Sequence, residues 1–217
     1  KNTNLTLDQI DGLTEEEVFE KMERGYKGLS ETLHKKLQPK LTNIEQKIKK
    51  AIRDVADFPK EGVVFKDITP LLSDPVLSND IAEALMERIK PLNLDAIVAI
   101  ESRGFLYGFL LANKLNIPFI PVRKKGKLPG DTLEYTYDLE YGSATVEIHT
   151  KDIEPGWNVL IHDDLLATGG TAQAAAELLK MQGAHVAGFA FVVELTFLNG
   201  VKKIKPYCDN IVSLATY

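Results

Sequence analysis

From about residue 90 onward, short apolar runs alternate with stretches of helical periodicity, and this rhythm restricts the fold more than any other feature of the chain. "LDAIVAI" (94–100) reads as a buried strand and "GFLYGFLLANKLN" (104–116) as a helix. "IPFIPVRK" (117–124) is a strand, and "EYTYDLEYGSATVEIHT" (134–150) alternates like a hairpin. "WNVLIHDD" (157–164), "TAQAAAELLKMQ" (171–182) and "VAGFAFVVELT" (186–196) continue as strand, helix and strand. Strands apolar on both faces and joined by helices predict an α/β fold, a mainly parallel central sheet with helices on both faces. In such sheets ligands sit beyond the carboxyl ends of the strands. Those ends carry "ESRG" (101–104), "RKKGK" (123–127) and "HDDLLATGGT" (162–171).

The N-terminal part reads differently. Thr14 with Glu17 forms a capping box, and Val18, Met22, Tyr26, Leu29, Leu33 and Leu37 follow as one apolar stripe that Pro39 ends. This predicts a helical N-terminal extension over 1–42, open to three readings: it packs on the body, mediates assembly, or is an expression remnant. A second box, Thr42 with Glu45, opens another helix with Ile44, Ile48, Ile52 and Val55 on one face.

The 217 residues suffice for one sizeable core, and the net charge of −5 argues against a general nucleic-acid binder. No apolar run approaches a membrane span, no secretory leader core opens the chain, and Cys208 is the single cysteine. A cytoplasmic protein is expected, with Cys208 a packed or idle thiol. His34, His149 and His185 show no metal-ligand spacing.

Chemistry concentrates in residues 162–171. Gly169 and Gly170 can turn consecutive backbone N–H groups inward, the next helix adds its positive end, and Thr168 and Thr171 can donate hydroxyls. "ATGGT" (167–171) is thus a candidate phosphate cradle, though neither a Walker loop nor a dinucleotide turn. Asp163 and Asp164 precede it. Carboxylates so near a phosphate cannot ligate it, but they can accept hydrogen bonds from a sugar diol or hold water on a Mg²⁺. Phosphate at one end and a diol at the other describe a ribose 5-phosphate, and two anions also oppose positive charge developing on the sugar ring.

"VLIHDDLLATGGTA" resembles the phosphoribosyl-pyrophosphate motif of type I phosphoribosyltransferases. Four further segments are similar to the adenine-specific members: "DFPKEGVVFKDITPLL" (57–72), "ESRGFLYG" (101–108), "VRKKGKLPG" (122–130) and "YDLEYGSATVEIH" (137–149). The similarity covers 43–217 and implies the type I phosphoribosyltransferase fold, with a base-binding hood from about 55–72 and a flexible hairpin loop over the site. It implies purine salvage, the transfer of phosphoribose from 5-phosphoribosyl 1-pyrophosphate (PRPP) to adenine, giving AMP and pyrophosphate, by a homodimer.

The resemblance assigns roles by position. Asp163 and Asp164 would serve the reacting sugar, and Ala167, Thr168, Gly169, Gly170 and Thr171 its 5-phosphate. A cis peptide between Glu101 and Ser102 would turn backbone N–H groups to the pyrophosphate, and Arg103 would reach the phosphates or close over the base. Arg123, Lys124 and Lys127 would contact pyrophosphate, leaving Lys125 the bystander. Glu140 would act as general acid/base near N7 of adenine, with Tyr141 ordering the loop. Phe65 and Leu165 would stack on the base while backbone groups of Val64 and Lys66 read its edge; Lys66 stands where an arginine is usual. Mg²⁺ would be bound mainly through substrate, with Asp163 and Asp164 outside it through water. His162 replaces an aliphatic residue and reads as a packing substitution or a nearby titrating group. Two alternatives remain, a 6-oxopurine as base or a PRPP-sensing regulator. Residues 1–42 hold 7 Lys/Arg against 8 Asp/Glu, which suits a DNA-binding module poorly.

Overall fold

The computed structural model describes residues 43–217 apart from residue 59 and residues 139–141. The helix read over 14–37, and Thr42 of the second capping box, lie outside the described residues.

A helix α1 over 43–51 buries Ile44 and Ile48. Its apolar stripe predicted continuation to Val55, and the structure corrects this. Val55 belongs to strand β1 (Arg53–Ala56), opposite Phe65 in the antiparallel strand β2 (Val64–Asp67). Cross-strand ion pairs, Arg53 to Asp67 at 2.6 Å and Lys66 to Asp54 at 2.7 Å, accompany this pairing. A partner strand ten residues on outweighs local helical periodicity. Helices α2 (Thr69–Ser73) and α3 (Pro75–Ile89) follow, neither read from the sequence. The missed signal for α3 was "DP": Asp74 accepts the N–H groups of Val76 and Leu77, each at 3.0 Å, and Pro75 occupies the first turn.

The remaining elements alternate as expected. They are β3 (Ala96–Ile100), α4 (Gly104–Leu115), β4 (Phe119–Lys124), the hairpin β5 (Thr132–Asp138) and β6 (Ser143–His149), β7 (Asn158–Leu166), α5 (Gly170–Met181), β8 (His185–Glu194), a short α6 (Val201–Ile204) and β9 (Ile211–Thr216). They build a seven-stranded sheet ordered β5-β6-β4-β3-β7-β8-β9. The five strands from β4 to β9 run parallel, and the hairpin is added antiparallel beside β4. β7 does not stop at the aspartates as the pattern suggested; β8 keeps pairing with it, setting Leu165 against Val193 and Leu166 against Glu194.

Period-two alternation assigns the two faces. Ala96, Val98, Ile100, Val159, Ile161, Phe189 and Phe191 pack with the alanines of α5. Ile97, Leu160, Ala190 and Val192 pack with α3 and α4 through Ile81, Leu85, Tyr107 and Leu111. The three fully buried residues Ala174, Ala175 and Ala176 let α5 lie close to the sheet. β7 is therefore central, with a parallel neighbour on each side and a helix layer on each face.

His162 lies in this core, wholly buried beneath α4 beside Gly108, whose missing side chain leaves space for Ala99 Cβ. Neither ring nitrogen makes a hydrogen bond of good geometry. Burial lowers its pKa to about 4, with only a weak opposing interaction from the Ala190 backbone. The neutral ring fits the core and the protonated one does not. Since the folded pKa lies below the unfolded value, this stability is complete above about pH 6.5 and is lost as pH falls towards 4. His162→Val removes that dependence. Urea unfolding across this range should show wild type losing about 3 kcal/mol relative to the variant on acidification.

Candidate active site

The turn between β7 and α5 has the backbone of an anion cradle. Gly169 caps α5 with φ +78°, and Gly170 opens the helix. A Cβ on Gly169 would meet the Gly200 carbonyl oxygen at 2.5 Å, and one on Gly200 would meet that of Ala167 at 2.2 Å. The cradle therefore rests on the segment ahead of α6. Gly200 was missed because "NG" signals only a turn, and nothing local says which backbone will cross it. Thr168 is exposed, and Thr171 Oγ1 lies 2.8 Å from the Tyr137 hydroxyl at the end of β5. Asp163, Leu165 and residues 166–172 line a cleft of about 80 Å³ here.

Just before this turn stand the two carboxylates, Asp163 half-buried and Asp164 buried. Asp164 is 4 % exposed, and its N–H donates to Asp163 Oδ1 at 2.9 Å. Gly104, opening α4, lets that helix start approach: a Cβ there would lie 2.8 Å from Asp163 Oδ1. Burial drives the Asp163 carboxyl well above the usual range, and the charge of Asp164 adds to this. Burial raises Asp164 as well, opposed by Arg103, whose Nε lies 3.0 Å from Asp164 Oδ2. The angle there is poor, and Oδ2 has no hydrogen-bond partner. The Arg103 guanidinium also sits 5.4 Å from the Phe65 ring centre. Arg103 thus links strand β2 to Asp164.

At the ends of β3 and β4 lies a web of charged groups. The Glu101–Ser102 peptide is cis, as the resemblance implied. Glu101 accepts from Arg123 Nη2 at 3.0 Å, Arg123 Nε at 3.3 Å and the Lys124 N–H at 3.1 Å. The Arg123 guanidinium is the main reason the Glu101 carboxyl sits below its ordinary pKa. Arg123 Nη1 also donates to the Lys127 carbonyl at 3.0 Å. Its guanidinium faces protein partners, while the side chains of Lys124 and Lys127 are exposed. Lys125 pairs with Glu134 at 2.7 Å. The buried Glu147 of β6 holds the turn after β4.

On the base side, Phe65 is half-buried against Phe58, ring centres 5.1 Å apart. Val64 is exposed, and the Lys66 ammonium is taken by Asp54 and lies 4.3 Å from the Tyr217 ring centre. Leu165 lines the cradle cleft and packs on the α3–α4 side of the core. Glu140 and Tyr141 lie outside the described residues. His149 is half-buried and His185 exposed, and Cys208 is packed, donating to the Ala187 carbonyl at 3.2 Å. Among the described residues no three His, Cys, Asp or Glu side chains cluster to hold a metal. A carboxylate pair whose Asp164 Oδ2 is ion-paired with Arg103 but not hydrogen-bonded instead suits an ion that brings oxygen ligands of its own.

Known proteins with these features point one way. The family profile described as phosphoribosyl transferase domain matches residues 71–213. The adenine phosphoribosyltransferase of Cytophaga hutchinsonii is 49 % identical over 174 residues, covering 80 % of this chain and 96 % of that protein. Among solved structures, the adenine phosphoribosyltransferase of Thermoanaerobacter pseudethanolicus superposes with a TM-score of 0.76 at 48 % identity, covering 79 % of this chain and 99 % of that one. That of Saccharomyces cerevisiae, complexed with an imino-altritol bisphosphate and adenine, gives 0.73 at 41 % identity, covering 80 % and 99 %. At such identity over nearly the whole length of these relatives, the chain belongs to the adenine phosphoribosyltransferase family.

Proposed function

We infer that this protein transfers phosphoribose from PRPP to adenine, giving AMP and pyrophosphate in purine salvage. The observation that carries the reading is the adjacent carboxylates on the central strand, Asp163 half-buried and Asp164 buried, just ahead of the phosphate cradle. Residues 167–171 take the 5-phosphate, and Asp163 and Asp164 face the ribose hydroxyls. The bond from C1 to the pyrophosphate oxygen breaks and the bond from C1 to N9 forms, with positive charge passing through the sugar ring and adenine's imidazole proton passing to Glu140. In the substrate-free protein burial keeps this pair reluctant to ionise. A cation arriving beside it relieves that strain most where its charge is greatest, at the transition state. Mg²⁺, held mainly by substrate oxygens and through water by Asp163 and Asp164, would supply neutralisation of the leaving pyrophosphate. Lys124 and Lys127, with Arg103, meet the same charge from the protein, supported by backbone N–H groups beyond Glu101 and Ser102. Phe65 and Leu165 hold the base, backbone groups of Val64 and Lys66 read its edge, Glu140 serves as acid/base and Tyr141 orders the loop. Closure of that loop excludes water, which would otherwise capture the sugar cation.

A homodimer belongs to the same reading. Leu106 and Phe109, 51 % and 60 % exposed on α4, continue a ring cluster in which Phe105 and Phe109 both meet Phe119 edge-on. An apolar patch of this kind suits a second copy packed about a two-fold axis. A cytoplasmic setting accords with the single unpaired cysteine. Among the described residues no helix is long and apolar enough to cross a membrane.

Three outcomes are expected. In parallel assays with adenine, hypoxanthine, guanine and xanthine, adenine supports turnover; preference for an oxopurine overturns the base assignment. Asp164→Asn lowers kcat by about a hundredfold or more without loss of stability, whereas His149→Ala changes it by less than about threefold. Equal effects of the two would remove the role given to the aspartates. Light scattering gives twice the chain mass for wild type and the single mass for Phe109→Asp.

A further inference from the structure

Glu147 is 2 % exposed, yet no substrate group assigned above needs it. It pairs in register with Arg123 across β4 and β6, directly beneath the cationic turn. One of its oxygens, Oε1, accepts the N–H groups of Lys127 at 2.8 Å and Leu128 at 2.7 Å; the other lies 3.5 Å from the Thr132 hydroxyl. Burial alone pushes this carboxyl's pKa up, but the amides of Leu128, Gly126 and Lys127 together outweigh it and bring the pKa below its ordinary value. Gly126, at φ +82°, lets those N–H groups converge. Converging amides form an anion nest, and here the anion is the protein's own.

The filled nest has two consequences. Arg123, Lys124, Lys125 and Lys127 fall within five residues and repel one another, so a free loop would splay them. Glu147 fixes the turn from inside, and Arg123 closes it by joining the Lys127 carbonyl to Glu101, at the cis peptide. The same amides are then closed to an incoming pyrophosphate, which must be met by ammonium groups that the turn already presents. We propose that Glu147 is a positioning residue for the pyrophosphate end of the reaction, an internal anion that presets the Gly126–Leu128 turn so that Lys124 and Lys127 stand ready before PRPP binds. This rests on the transferase reading above.

Ordering the loop in advance lowers the entropy lost on binding, so the effect belongs to ligand affinity and not to chemistry. Glu147→Gln keeps the size and an accepting oxygen but removes the charge that strengthens these bonds. In this variant the Kd for pyrophosphate and the KM for PRPP rise about tenfold, while the KM for adenine, the Kd for AMP and kcat stay within about threefold. An unchanged pyrophosphate Kd, or an equal weakening of AMP, overturns the proposal, the latter pointing to general structural damage. Amide hydrogen exchange on the wild-type protein tests it without any variant. The Lys127 and Leu128 amides should be protected to the same degree with and without pyrophosphate; exchange at open-loop rates in the free protein, or protection gained only on binding, overturns it. Wild type that bound no pyrophosphate would overturn the transferase reading and this inference with it. Wild-type binding with an unaltered variant overturns the inference alone.

Discussion

Two adjacent carboxylates, Asp163 and Asp164, sit near the end of the central strand where burial makes ionisation unfavourable, and the surrounding elements are arranged about that cost. Parallel strands on both sides and helices on both faces remove water from the pair. The start of α4 approaches only because Gly104 has no side chain, and Arg103 from the same turn leans on Asp164 without making a well-aligned hydrogen bond. The compensation is deliberately incomplete in its physics: a pair fully satisfied by the protein would gain little when a cation forms beside it. In the proposed reaction the turn at 167–171 would hold the other end of the sugar phosphate, and its backbone crosses closely with Gly200.

The leaving-group side solves the opposite electrostatic problem. A cluster of cations suited to a polyanion repels itself when the ligand is absent. Three glutamates answer this at different depths: Glu134 at the surface on Lys125, Glu101 half-buried on Arg123, and Glu147 inside on the turn's amides. Lys124 and Lys127 are left exposed. The site therefore sets incompletely compensated anions at 163–164 beside partly compensated cations at 123–127, and the proposed reaction would develop the opposite charges next to each.

Much of this was legible in order along the chain. Strand–helix alternation gave the parallel sheet, because continuous apolar runs have no stable place except between two helix layers. The aspartates and "ATGGT" were legible because unlike chemistries that must act on one small molecule lie within nine residues. Elements set by partners distant in sequence were not. Val55 followed the helical period yet became a strand residue once Phe65 lay opposite it. β9, "IVSLAT", was too short and too mixed to read until β8 offered an edge. His162 stood out in sequence, but its neutrality follows from total burial under α4.

Glu147 marks the boundary most clearly. In "VEIH" it reads as the solvent-facing residue of an alternating strand, yet Val146, Glu147 and Ile148 are all buried. Whether a glutamate faces water or a ring of amides depends on which turn folds over it, and that turn is twenty residues away. The amino-acid sequence by itself determined the layer architecture, which is written in local period, and marked residues 162–171 as the candidate site. Only the tertiary structure decided which charges are compensated and by what, because compensation depends on distance and burial that arise when separate strand ends meet.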